Sequence, residues 1–205
     1  STRDWSSDVC SSDLAQGLTF AREDNGIFGV AFGDEPRIPE SWNRFSIEKR
    51  AEILVNPSFS KKSEWEVFAK DIQEKEKNEN DERSDFSDQQ ISAFLETHAP
   101  ESSVKPGNKE IVFWAIISEA RNILGVAAVS RWESGKYVLA SVAVDKSKRN
   151  LGIGSRIMKE VEVLSQGNGI HQLCLGVISS NQSAIHLYEK SGWSRIHQFT
   201  YFERV

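Results

Sequence analysis

Arg149, two spacers and then Gly152-Ile153-Gly154 stand between an apolar strand-like run, 137–144, and a helix-like run, 152–166. That spacing has a chemistry. A glycine lets the backbone come close to a ligand. The first N–H groups of a helix have no internal partner, and the helix dipole favours an anion there. A pyrophosphate meets both needs. Two other phosphate loops do not fit. A dinucleotide fingerprint requires Gly or Ala where Ile157 stands, and a nucleoside-triphosphate loop requires a Gly-Lys-Ser/Thr that this turn lacks. The competing reading is a tight turn whose glycines serve packing alone.

A second segment, Asn181 to Trp193, reads as a short helix ended by Gly192. On a helix Ala184, Leu187 and Tyr188 share a face. The small Ala184 leaves room beside Tyr188, whose hydroxyl can protonate a departing thiolate. The competing reading is a core tyrosine with a satisfied hydroxyl.

Together, in this order, the segments resemble the GNAT superfamily of N-acetyltransferases over residues 111–205, and more loosely from residue 18. Arg149, Gly152 and Gly154 match Arg/Gln-x-x-Gly-x-Gly/Ala. Asn181, Ala184, Tyr188 and Gly192 match Asn-x-x-Ala-x-x-x-Tyr-x-x-x-Gly-Phe, with Trp193 as the aromatic. The resemblance implies an α/β fold: a mixed, mostly antiparallel sheet flanked by helices, split into a V between strands 137–144 and 171–178. It implies acetyl-CoA as co-substrate and no metal. Backbone amides of Arg149, Asn150, Leu151, Gly152, Ile153, Gly154 and Ser155 would hold the pyrophosphate. Val142 and Val144 would hydrogen-bond the pantetheine arm as a further strand would, and Asn181 would bond or orient it. Tyr188 would be the general acid, and the N–H of Val142 or a neighbour would polarise the thioester carbonyl. The acceptor, a small-molecule or peptide amine, would attack directly, with no covalent enzyme intermediate.

The proton acceptor for that amine is open. The histone-acetylating branch carries a glutamate at the register of Val138, so this chain departs from that branch. Glu119, Glu133, Tyr201 and Glu203 are candidates, as is water. Cys174, mid-strand, reads as a small buried hydrophobe, and His186 as structural or exposed.

The elements that position these residues follow from periodicity and punctuation. Residues 18–32 read as two strands around Asp24-Asn25-Gly26. Residues 46–55, 63–77 and 87–98 read as helices, the last capped by Ser87 with Ile91, Phe94 and Leu95 inward. Residues 111–118, 123–130 and 137–144 read as an antiparallel meander. The glycine-turn helix buries Ile153, Ile157, Val161 and Leu164 and stops at Gly167. A central strand at 171–178 and a last strand at 194–205, bent into two, complete the pattern.

Composition narrows the class. The chain has 205 residues and a formal charge of −5, which argues against a nucleic-acid partner. It shows no apolar run of spanning length and no secretory leader, and Cys10 and Cys174 form no disulfide framework or metal-ligand spacing. The expectation is a cytoplasmic protein away from membranes, with a homodimer left open. Asp4 to Leu14 looks like an in-frame translation of a sequencing-library adaptor. Residues 1–14 are therefore set aside as a non-native tail that has replaced the true start. Residues 15–205 read as one domain, with a helical acceptor-side region at 34–110 and the acetyl-CoA-binding core at 111–205. Only twelve residues follow Trp193, short for the two closing strands usual in the family, which suggests truncation. An acyl-CoA-binding sensor with little catalysis is the alternative function. A third reading is an interaction domain whose helices at 46–98 recruit a partner.

Overall fold

The computed structural model describes residues 19–23, 27–33, 36, 38–73, 86–132 and 134–205. The 1–14 tail with Cys10, the Asp24-Asn25-Gly26 turn, residues 74–83 of the charge run and Glu133 lie outside these residues. The chain divides into two compact units. One comprises Ser1–Ala69, Gly176–His186 and Ser194–Val205, the other Lys70–Leu175 and Leu187–Trp193.

In the second unit, β5 (Ile111–Glu119), β6 (Asn122–Arg131) and β7 (Tyr137–Val144) form the expected antiparallel meander. Strand β8 (Gln172–Ile178) begins here and lies parallel to β7. Helix α1 (Asp88–His98) starts on a capping box: Gln90 N–H donates to the Ser87 hydroxyl, and Ser87 N–H donates to the Gln90 side chain. Its buried residues are Ile91, Phe94 and Leu95. Helix α2 (Ile153–Gly167) buries Ile153, Ile157, Met158 and Val161, and ends one residue past the expected stop at the Asn168 cap. Leu164 is only partly buried.

The two helices cover opposite faces of the sheet, because neighbouring residues of a strand point to opposite sides. On β6, a Cβ at Gly125 would lie 2.6 Å from Ile157 of α2. The next residue, Val126, clusters with Ile91, Phe94 and Leu95 of α1.

The first unit departs from the sequence reading. Strands β1 (Thr19–Glu23) and β2 (Ile27–Ala31) form the expected antiparallel pair. The helix expected at 46–55 is instead strand β3 (Arg44–Glu48) followed by a 3₁₀ helix, Lys49–Leu54. The helix expected at 63–77 is strand β4 (Phe59–Asp71). The reason lies in packing. Register shifts between Lys61/Ser63 and Val67/Phe68 break the period-two alternation of β4. They leave Trp65, Phe68, Ala69 and Ile72 at helix-like spacing. Pairing with β9 (Ser194–Arg204) then overrides that pattern. Of the three helices expected within 34–110, α1 is the one that forms as an α-helix among the described residues.

Strand β9 is one continuous strand rather than two, and it runs antiparallel between β3 and β4. Strand β4 neighbours β8 in the sheet, and Ser179 N–H donates to Glu64 O at one end of that pairing. The closing partner of the last strand therefore comes from upstream in the chain. Trp65 stacks on Phe199 at 4.5 Å and donates its indole N–H to the Ser46 hydroxyl at 2.8 Å. Phe32, Val30 and Val67 complete that cluster. Helix α3 (Gln182–Lys190) begins in the first unit and ends in the second. Both units have the mixed, mostly antiparallel sheet expected; β2–β3 and β7–β8 are the parallel pairs.

Candidate active site

Strands β7 and β8 share a single register pair, Val138 with Cys174. Parallel strands joined at one point leave their remaining N–H and C=O groups for something else to pair with. Val142 and Val144, the residues expected to meet the pantetheine arm, lie on β7 beyond that point and are partly exposed.

Strand β7 is also irregular on its other side. Val126 of β6 faces Ala143 and Ala128 faces Ala140, so Ser141 and Val142 together oppose the one residue between them. This is a β-bulge. Ser141 has φ +52°, a left-handed conformation that L-residues rarely adopt. Its hydroxyl donates to Val104 O at 2.7 Å and accepts from Val104 N–H at 3.1 Å. The sequence reading did not single out Ser141. A serine inside an apolar strand gives no sign of its φ.

The glycine turn follows. Asp145 caps the 3₁₀ turn Lys146–Lys148 by accepting from Ser147 N–H. Asn150 (φ +64°) and Gly152 (φ +77°) are both left-handed, and Gly152 is the N-cap of α2. A glycine cap has no side chain to satisfy the first helical N–H groups, so those of Ile153, Gly154 and Ser155 remain for a ligand. Arg149, Asn150, Leu151, Gly152 and Ser155 are exposed, and Leu151 is 65% exposed. The two glycines work differently. A side chain at Gly152 would meet open space, whereas one at Gly154 would come within 3.0 Å of Leu187. Gly154 thus serves close helix packing, and Gly152 shapes the cradle.

Tyr188, next to Leu187, is 6% exposed and tilts against Trp193 at 6.1 Å between ring centroids. Burial pushes its phenol up to about 12, so the hydroxyl is protonated throughout the physiological range. Cys174 is buried in β8, and His186 is exposed. Asn181 belongs to the other unit. Its Oδ1 accepts from Ala184 N–H at 3.2 Å, so it acts as the N-cap of α3 and keeps its amide N–H₂ as donor.

Glu119, Tyr201 and Glu203 are the candidate proton acceptors among the described residues. Glu119 is exposed at the β5–β6 turn. Tyr201 donates to Glu203 at 2.6 Å, and its phenol is pushed up to about 12 by burial and by that acceptor. Glu203 is half exposed beside Lys62. Val138, at the glutamate register, is buried.

Sequence reasoning missed a charged cluster in the first unit. Glu48 is buried, with Oε1 2.8 Å from His197 Nδ1. Its Oε2 accepts from Gly33 N–H at 2.8 Å and from Arg50 at 2.7 Å. Burial alone would raise the carboxyl, but hydrogen bonds from His197, Gly33 and Arg50 outweigh it and hold the group at about 2. The cluster lines a cavity of about 430 Å³ together with Lys49, Arg195, Ile196 and Gln198. No sequence signal joins residues 48 and 197; only pairing of β3 with β9 does. Among the described residues, no group of three or more His, Cys, Asp or Glu is placed to hold a metal ion. Among them too, no helix is long and apolar enough to cross a membrane.

The fold has relatives among solved structures. A GCN5-related N-acetyltransferase from Kribbella flavida aligns with TM-score 0.63 at 14% identity, over 98% of this chain and 95% of its own. An acetyltransferase of the GNAT family from Colwellia psychrerythraea aligns with TM-score 0.58 at 13% identity, over 80% and 66% of the two chains. A GCN5-related N-acetyltransferase from Sphaerobacter thermophilus gives 0.56 at 14% identity, over 92% and 76%. At such identities the likeness speaks for the fold. No curated protein matches the chain. The profile of the acetyltransferase (GNAT) family matches residues 68–193, more than half of the 205-residue chain, and takes in the bulged strand, the glycine cradle and Tyr188. The chain belongs to the acetyltransferase (GNAT) family.

Proposed function

We propose that this protein transfers an acetyl group from acetyl-CoA to a primary amine by direct attack in a ternary complex. One observation carries the reading. The second unit holds, in consecutive residues, a strand joined to its parallel neighbour at one point and a left-handed glycine cradle opening a helix. Both leave backbone donors unused, and acetyl-CoA has a pyrophosphate for the cradle and an amide-bearing arm for the strand.

Bound acetyl-CoA supplies a thioester already activated toward amines. The chain's residues do the rest. N–H groups of Ile153, Gly154 and Ser155, with Arg149 nearby, neutralise the pyrophosphate. Val142 and Val144 pair with the pantetheine arm. The Val142 N–H polarises the thioester carbonyl. Tyr188 faces the departing sulfur. Burial keeps its hydroxyl protonated throughout the physiological range, so as the general acid it has a proton to give the thiolate. No one residue is assigned as the amine's proton acceptor, and water serves that role equally.

The test is calorimetric binding of acetyl-CoA to the full chain, with a thiol-release assay over a panel of amines. Micromolar binding and release with one amine class is expected. Binding without release would favour the sensor reading. Gly152→Asp sharpens the assignment: aspartate tolerates the left-handed backbone and puts a carboxylate where the phosphate should lie. Unchanged affinity in that variant would sink the cradle.

A further inference from the structure

We propose that Ser141 is a positioning residue for acetyl transfer: its hydroxyl pins the β7 bulge to Val104 and thereby aims the Val142 N–H at the thioester carbonyl. The proposal rests on the acetyl-transfer reading above.

Three observations within the second unit carry it. Ser141 has φ +52°, a conformation glycine would take freely and serine does not. A serine kept there must be held by something. The hydroxyl makes two hydrogen bonds, donating to Val104 O at 2.7 Å and accepting from Val104 N–H at 3.1 Å. The two residues lie 37 positions apart, so this contact is tertiary. The register shift then leaves Ser141 and Val142 opposite one residue of β6, so the ladder does not fix their N–H directions. The clip to Val104 does so instead.

The strap that carries Val104 grips β7 and its exit twice. Val104 lies in the segment linking α1 to β5. Just before that segment, at the end of α1, Lys146 N–H donates to His98 Nδ1 at 3.0 Å and Lys146 Nζ to Thr97 O at 2.8 Å. One grip is at the bulge, and the other is at the start of the turn into the glycine cradle. A residue that merely filled space would need neither bond. Without the hydroxyl the backbone can relax toward ordinary extended geometry, which rotates the Val142 peptide.

Ser141→Ala removes both bonds and keeps the backbone strain. Ser141→Gly removes both bonds and relieves the strain. With acetyl-CoA labelled with ¹³C at the carbonyl, the wild-type thioester band is expected below that of free acetyl-CoA, reporting a hydrogen bond. In both variants the band should return toward the free position. Then kcat should fall by about 10- to 100-fold, as for a misplaced donor, while the acetyl-CoA Kd hardly changes. If either variant keeps the wild-type band and kcat, the clip does not position the donor and the proposal is overturned. Recovery of band and kcat by Ser141→Gly alone would overturn it too, because strain relief would then explain the loss in Ser141→Ala. A wild type that binds acetyl-CoA with an unshifted band rejects the Val142 role, and this proposal with it. Absence of acetyl-CoA binding would instead reject the underlying functional reading.

Discussion

The two units build their polar chemistry by opposite means. The first buries side-chain groups: Ser46, Glu48, Glu66 and Thr200 are all buried there, and Glu66 is paired with Arg195 at 2.6 Å. In the second, the buried polar groups among the described residues include the hydroxyls of Ser130, Ser165 and Tyr188 and the sulfur of Cys174, none of them charged. Its polar capacity lies in the backbone, at the Ser141 bulge and the Asn150–Gly152 turn. A buried charge is costly unless partners from several strands meet it. A backbone site needs only an unusual φ and an open approach. The first unit should therefore be sensitive in stability, and the second in ligand binding and rate.

The comparison would be broken most directly at Glu48. Glu48→Ala strands Arg50, His197 and the Gly33 N–H, and should cost about 3–5 kcal/mol of stability in urea unfolding. The pH dependence has a definite sign. The carboxyl is held at about 2 against an ordinary 4.5, so the folded state binds fewer protons than the unfolded chain in that window. The stabilisation is complete above pH 4.5 and is lost as pH falls toward 2. The gap between wild type and Glu48→Ala should thus be narrower at pH 3 than at pH 7. An equal gap at both would mean that Glu48 acts through packing rather than charge.

Tyr188→Phe should lower kcat by about 100-fold and leave the acetyl-CoA Kd unchanged, with little effect on the melting temperature. Because the phenol stays protonated to about 12, an alkaline fall in kcat below pH 10 would belong to another group. Unchanged turnover in this variant would confine the second unit to binding. Gly125→Ala tests the base on which the cradle rests. Its Cβ would press on Ile157 and Ile153 of α2, costing about 1–3 kcal/mol in thermal unfolding. It should also weaken acetyl-CoA binding, because α2 begins at the cradle. The smallest effect is expected at the β5–β6 turn. Ala120 and Arg121 both have positive φ, at 48° and 63°. Replacing them with Asn-Gly should raise stability by about 1 kcal/mol without altering affinity.

The parts legible in the sequence share a property. At Arg149 to Gly154, and in α1 and α2, short-range signals agree with tertiary outcome: a capping serine, helical periodicity and glycines where the backbone turns left. The cradle could be read because glycine advertises its own φ. Ser141 could not, since the same φ is imposed on it by Val104. Strands β3 and β4 were illegible for a related reason. Their apolar spacing imitates a helix; β3 is drawn out by pairing with β2 and β9, and the bulges of β4 arise only on pairing with β9. The Glu48–His197 pair also depends on β9, so nothing local to either residue announces it.

That last strand has a consequence in time. Strand β9 lies between β3 and β4, well over a hundred positions later in the chain than the neighbours it joins. On a ribosome, β3 and β4 emerge early and must wait with unpaired edges until residues 194–204 have been made. Contacts of such range slow folding, and exposed edges invite association with other chains. The β5–β6–β7 meander and α2 face no such delay, because their partners are close in sequence. The nascent protein is thus expected to assemble its second unit first, and to be most in need of chaperone cover in the interval before its final strand arrives.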